Sequence, residues 1–263
     1  MILTYREAIR EGMSIRMRED PRVILFGEDT GAYGGSFGIT LGMYDEFGGD
    51  RVRDTPISES AIIGCAVGSA ATGMRPIAEL VFCDFLTVAM DQIANQAAKM
   101  RYMFGGKISL PMVVRMPAGA GQGGAAQHSQ SLEAWVTHVP GLKVVYPSTP
   151  QDALGLILSA IDDDNPVIYF ENKIIKEKAD ITNFDPIPLG KGNIVREGTD
   201  ISVITYGLQV YDAKKAADIL AKDGISLEII DLRTLYPLDK DMIRSSIAKT
   251  HHAIVITEET KRG

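Results

Sequence analysis

Cysteine, histidine and positive charge are all scarce in this chain. Two cysteines and four histidines occur among 263 residues. Cys65 and Cys83 lie inside apolar segments and are not at ligand spacing with each other or with a histidine, so no zinc site is indicated and a reducing compartment suits them. Lysine and arginine number 27 against 34 acids, a net charge of −7, which argues against nucleic acid or an anionic membrane as partner. No apolar run approaches the roughly 20 residues of a membrane span. No secretory leader is read, because Met1 runs straight into a capping box, Thr4-Tyr5-Arg6-Glu7. Asp162-Asp163-Asp164 lacks the glycine and terminal glutamate of a calcium-binding EF-hand loop, and a Ser/His/Asp hydrolase is not expected, since no G-x-S-x-G nucleophile elbow is read. The remaining composition, 45% hydrophobic and 23% charged, is that of a soluble globular protein, and a cytoplasmic enzyme or enzyme subunit is expected.

What the chain has is alternation. A helix is predicted over 5–19 and a strand over 23–27. The extended stretch 51–53 leads to Asp54-Thr55-Pro56-Ile57-Ser58-Glu59. There Pro56 biases Thr55 towards extended backbone, Ser58 is a good helix N-cap, and 61–72 is a small, apolar helix. A strand over 76–82, a long helix over 86–103 and strands over 112–116, 142–146 and 167–170 follow. Thr149 caps the helix between the last two strands, with Pro150 in its first position. Continuous apolar strands separated by helices predict an α/β fold with a parallel sheet covered on both faces. Residues 176–199, with Pro186, Pro188 and Gly190, read as a linker between domains at 1–175 and 200–263. The second domain is predicted as three strands, 201–207, 227–230 and 253–256, with two helices. It is thin, so a truncated C-terminus is expected.

An acid at position 59 has two readings. It complements the dipole of the helix it begins. It also stands where a strand hands over to a helix, the usual place for ligand chemistry in open α/β sheets. Gly27-Glu28-Asp29 puts Glu28 on the same rim, and Phe82-Cys83-Asp84-Phe85 ends another strand, ordinary core being its plain alternative. His128 follows Gly119-Ala120-Gly121-Gln122-Gly123-Gly124, formally a G-x-G-x-x-G string. The dinucleotide reading fails because no acid lies about 20 residues further on. A loop presenting His128 fits better, with a histidine at a helix start as the alternative. Two carboxylates, an aromatic pair and a histidine on strand ends predict a site for a cationic, aromatic ligand.

Together these pieces resemble the β subunit of the thiamin-diphosphate-dependent first enzymes of 2-oxo acid and acetoin dehydrogenase complexes. The resemblance rests on Gly27-Glu28-Asp29, Asp54 to Glu59, Ala89-Met90-Asp91-Gln92, Arg101 to Gly106, Gln127-His128-Ser129-Gln130, Pro140 to Val145 and Asp231 to Leu235, in order along nearly the whole chain. It implies a thiamin-diphosphate-binding domain of the transketolase pyrimidine type, then a smaller, truncated transketolase C-terminal-type domain. It implies that Glu59 hydrogen-bonds a pyrimidine nitrogen of the cofactor, favouring the imino form that takes the thiazolium proton. Glu28, Ile57, Ser58, Val81 and Phe85 match cofactor-binding positions, and Phe82, Phe85 and His128 match the substrate side. Met112, Ala160, Ile161, Asp163 and Asn165 match a loop that holds potassium through backbone oxygens. Enzymes of this cofactor class hold Mg²⁺ and diphosphate through a Gly-Asp-Gly motif, which this chain lacks. A separate α subunit is therefore expected to supply the metal half, in a heterotetramer of two α and two β chains that serves a lipoyl acyltransferase. Acetoin or pyruvate is the expected substrate, with branched-chain 2-oxo acids and a non-catalytic interaction subunit as alternatives. The small-residue face of the 61–72 helix, with Gly64 and Gly68, is a candidate subunit contact.

Overall fold

The computed structural model describes residues 1–261. It opens with β1 (Ile2–Thr4) and α1 (Tyr5–Glu19), whose capping box forms as expected. The Thr4 hydroxyl accepts from the Glu7 amide at 3.2 Å, and the Glu7 carboxylate accepts from the Thr4 amide at 2.8 Å. Then come β2 (Val23–Gly27), α2 (Met43–Phe47), β3 (Val52–Asp54), α3 (Glu59–Ala71) and β4 (Arg75–Glu79). The strand predicted to reach 82 ends at 79. The Leu80 amide still donates to the Arg115 carbonyl, but the chain then bends at Val81 into a 3₁₀ turn, Cys83–Thr87.

The single long helix predicted over 86–103 is a second departure. A π-helical segment, Gln92–Ala97, precedes α4 (Ala98–Met103). Helical periodicity in a sequence does not reveal the one extra residue that opens such a turn. The Ala98 carbonyl then abuts Gly141, where an added Cβ would lie 2.0 Å from the oxygen and φ is +108°.

Next are β5 (Val113–Ala118), α5 (Glu133–Thr137), β6 (Lys143–Val145), α6 (Pro150–Asp162) and β7 (Val167–Asn172). Thr149 caps α6 through the Asp152 amide at 3.1 Å, with Pro150 in the first turn as predicted. Residues 176–199, read as a linker, carry β8 (Lys178–Asp180), which pairs with β1, and β9 (Asn193–Arg196). The C-terminal part contributes β10 (Ile201–Thr205), α7 (Gln209–Leu220), β11 (Leu227–Asp231), β12 (Thr234–Tyr236), α8 (Lys240–Thr250) and β13 (Ala253–Val255).

Among the described residues the first sheet has the order β12-β6-β7-β5-β4-β2-β3, parallel except for β12. Its two faces carry separate apolar cores. One includes Ile62, Ile63, Leu86 and Ile93, and the other Ile9, Met13, Leu154 and Ile157. Burial on both faces is what the continuous Val/Ile/Leu strands require. The second sheet, β13-β10-β11-β9, has four strands where three were expected, because β9 adds antiparallel to β11. β12 leaves that half of the chain and extends the first sheet beyond β6. An ion pair between Arg233 and buried Asp152 reinforces the junction.

Candidate active site

The register of the parallel strands builds the rim. Gly27 pairs with Asp54 on β3 and with Glu79 on β4, so the C-terminal ends of these strands share one edge. The Thr55 amide donates to the Gly27 carbonyl at 3.0 Å, and the Gly31 amide to the Asp54 carboxylate at 2.6 Å. Gly27 must be glycine, since a Cβ there would meet the Glu79 carbonyl oxygen at 2.7 Å. Glu28 follows directly and is half-buried, and its Oε1 is a buried oxygen without a partner. Glu59 is the first residue of α3, 8% exposed, and its carboxylate has no hydrogen-bond or ion-pair partner among the described residues. Burial, then the charges of Glu59, Asp29 and Glu79, raises the Glu28 carboxyl above the usual range.

Ser58 holds the N-cap position but does not cap. With φ −165° and ψ 80° its hydroxyl makes no bond to the first helical turn, and its contribution is the carbonyl that accepts from Ile62 at 2.9 Å. A ψ so far below the usual extended N-cap value turns Cβ away from the free amides. Ile57, beside it, is 80% exposed. The Ser60 hydroxyl donates to the Val88 carbonyl at 2.7 Å, tying the first turn of α3 to the segment after the Cys83–Thr87 turn.

That turn and the following loop form an aromatic wall. The His128 ring stands edge-on to Phe82, centroids 4.4 Å apart, and to Phe85 at 5.5 Å. Phe82 meets Phe85 at 6.0 Å and Phe37 at 5.6 Å. Among the described residues neither imidazole nitrogen of His128 has a hydrogen-bond partner, so both are open to a ligand. The glycine-rich loop leading to His128 has left-handed backbone at Gly119, Gly121 and Gly123. Asp84 closes it, accepting from the Gln130 amide at 3.2 Å and from its side chain at 2.9 Å.

The predicted residues therefore fall into two groups. Glu28, Ile57, Ser58, Glu59, Val81, Phe82, Phe85 and His128 stand at or beyond the C-terminal ends of the strands. Met112, Ala160, Ile161, Asp163 and Asn165 lie at the opposite edge, where β5 and β7 begin. There the carbonyls of Ile161 and Asp163 accept from the Arg75 guanidinium at 2.9 and 3.3 Å, and Met112 accepts from the Val167 amide. A side-chain cation thus already occupies part of the oxygen set, which is not an open cage. Among the described residues no group of three or more His, Cys, Asp or Glu side chains is placed to hold a metal ion.

Several residues escaped the sequence. Arg115, fully buried on β5, pairs with Glu79 on β4 and reaches Glu171 on β7 at 3.2 Å. Burial pushes the Glu171 carboxyl up to about 7 against the opposing pull of Arg115. A charge inside each of three apolar strands was the available signal, but only the register makes them neighbours. Lys173 was also passed over. Finally, Gly34-Gly35-Ser36-Phe37-Gly38 does spell G-x-S-x-G, contrary to the reading that no hydrolase elbow is present. Ser36 lies on an exposed loop between β2 and α2 and not on a strand-to-helix turn, so the string has no elbow geometry.

This architecture, a parallel-sheet unit with an acidic and aromatic rim followed by a second α/β unit, is of the transketolase type. Residues 2–176 match the transketolase pyrimidine-binding domain, and residues 190–263 match the transketolase C-terminal domain. A solved structure described as a split-gene transketolase, inactive beta4 tetramer, superimposes with a TM-score of 0.80 at 20% identity, over 96% of this chain and 79% of that one, a likeness of fold. The chain is 48% identical to the 2-oxoisovalerate dehydrogenase subunit beta of Bacillus subtilis, over all of this chain and 81% of that protein. It is 50% identical to the acetoin:2,6-dichlorophenolindophenol oxidoreductase subunit beta of Cupriavidus necator, covering 99% and 80%. It is 46% identical to the pyruvate dehydrogenase E1 component subunit beta of Rickettsia bellii, covering 98% and 80%. The chain belongs to the family of β subunits of the thiamin-diphosphate-dependent first components of 2-oxo acid, acetoin and pyruvate dehydrogenase complexes. No helix among its described residues is long and apolar enough to cross a membrane.

Proposed function

We propose that this chain supplies the pyrimidine-side half of a dehydrogenase active site that cleaves acetoin or decarboxylates a 2-oxo acid such as pyruvate. The acyl or aldehyde unit would pass to lipoyl groups of an acyltransferase partner. The observation that carries the reading is the rim itself: two partly buried carboxylates, Glu28 and Glu59, without a protein hydrogen bond on Glu28 Oε1 or on the Glu59 carboxylate. Carboxylates left so exist to meet a donor from outside the chain. Thiamin diphosphate fits that demand, with a protonatable pyrimidine for Glu59 and aromatic faces for Phe85. When bound it supplies the electron sink that protein side chains lack.

In this reading Glu59 holds a proton at a pyrimidine nitrogen. Ile57, Ser58, Val81 and Phe85 would hold the ring when it is bound, and Glu28 would set the charge beside it. Phe82 and Phe85 exclude water from the substrate side, where the open nitrogens of His128 exchange a proton with a substrate oxygen. Mg²⁺ and diphosphate are assigned to an α subunit in a heterotetramer of two α and two β chains. The exposed apolar residues Ile57, Val88, Tyr102, Met103 and Phe104 support such a partner. Potassium at Met112, Ala160, Ile161, Asp163 and Asn165 remains a proposal in competition with Arg75. The domain division at 1–175 and 200–263 and a cytoplasmic location belong to the same reading.

The test is reconstitution with the α subunit and comparison of acetoin, pyruvate and 3-methyl-2-oxobutanoate. Thiamin-dependent turnover is expected only with both chains. Turnover by this chain alone would overturn the half-site reading. The 48% identity to a 2-oxoisovalerate dehydrogenase subunit favours the branched-chain acid as the second candidate substrate.

A further inference from the structure

Lys173 follows β7 at the same strand-end rim and is 2% exposed. A buried ammonium is costly unless a carboxylate accompanies it. Here no carboxylate lies within ion-pair distance among the described residues. Its Nζ donates to the main-chain carbonyl of His128 at 2.6 Å and stands 5.1 Å from the centroid of the Phe82 ring. Its own carbonyl is held from the other side by Arg6 at 2.8 Å.

The loop it grips is also held by the Gln122 side chain, which donates to the Lys173 carbonyl at 3.5 Å. A main-chain bond from Ala120 to Glu258 and the Cys83 thiol at the Gln130 carbonyl hold it too. Residues 120–127 are exposed, and Ala125 enters the Ala126–His128 turn with φ +62°. Asp84 fastens the far end at Gln130, and Gly119 donates back to the Gln130 carbonyl at 3.2 Å. Between those anchors, the Lys173 bond is the charge-assisted contact at the residue whose imidazole meets Phe82 and Phe85.

We propose that Lys173 is a positioning residue for His128: its ammonium pins the 126–128 turn and lies against Phe82, holding the imidazole edge-on to the aromatic wall with both nitrogens free. This rests on the reading of His128 as the substrate-side proton carrier. A residue that merely filled the core would be served as well by an apolar chain of the same length. Burial lowers the Lys173 pKa, and Cys83, Asp84 and Glu258 oppose that shift only in part.

The experiment compares Lys173→Met and Lys173→Arg in the complex reconstituted with its α subunit. Amide hydrogen exchange over 119–131 and steady-state kinetics are read on the same samples. Lys173→Met is expected to speed exchange at the hydrogen-bonded His128 and Gln130 amides by about tenfold and to lower kcat roughly 10- to 100-fold with little change in KM. Lys173→Arg, which keeps charge and donors, should recover most of both. Exchange in Lys173→Met equal to wild type, with or without lost turnover, would overturn the proposal, as would a Lys173→Arg variant no better than Lys173→Met. If wild-type complex shows no turnover at all, the assigned function fails, while the exchange comparison still decides whether Lys173 fixes the loop.

Discussion

The amide of Thr55 donates to the carbonyl of Gly27 across 3.0 Å, and this bond brings Glu28 and the Glu59 segment to the same edge of the sheet. The two acids then share a rim where the charge of Glu59 adds to burial in disfavouring ionised Glu28.

That coupling has a pH signature in Glu28. Burial and the charges of Glu59, Asp29 and Glu79 raise its carboxyl pKa in the folded state. Between the unfolded value of about 4.3 and the raised folded value, the folded chain binds the proton more tightly, so stability falls as pH rises. Glu28→Gln removes that loss. Thermal melts should show the Tm of Glu28→Gln gaining on wild type as pH rises above about 4, until Glu28 is fully ionised in the folded chain. A difference that stays constant across that range would contradict the assignment.

Gly141 is fixed by packing and not by chemistry. An added Cβ would collide with the Ala98 carbonyl at 2.0 Å, and φ of +108° already excludes ordinary residues. Gly141→Ala should cost about 2–4 kcal/mol and lower Tm by roughly 5–10 °C. A melt within a degree of wild type would mean that α4 and the 140–142 turn do not approach so closely.

At the opposite edge, Arg75 occupies carbonyls that potassium would use. Arg75→Met vacates them. Replacing sodium by potassium chloride should then raise the Tm of Arg75→Met more than that of wild type. An equal response in both proteins would show that guanidinium and ion do not compete.

Much of where the candidate residues fall in the fold was legible in the sequence, because the signals are local. Glu59 after Pro56 and Ser58, the caps at Thr4 and Thr149, and Phe82 to Phe85 at a strand end are all patterns within a few residues. What escaped depends on pairing at long range. β12 leaves the C-terminal half to join the first sheet, and β9 makes a four-stranded sheet from a stretch that reads as linker. Arg115, Glu79 and Glu171 become a buried group only once β4, β5 and β7 are in register. Lys173 reads as a surface lysine until the fold buries it. Ser58 looked like a cap by residue type, and its backbone dihedrals decided otherwise.

Glu59 is proposed to activate a cofactor whose other half a second chain holds. The most direct measurement is thiamin-diphosphate-dependent turnover of the complex reconstituted with its α subunit, for wild type and for Glu59→Ala, with assembly followed by size-exclusion chromatography. The account predicts an intact complex whose turnover falls by roughly 100-fold or more. An assembled Glu59→Ala complex with wild-type turnover would contradict it.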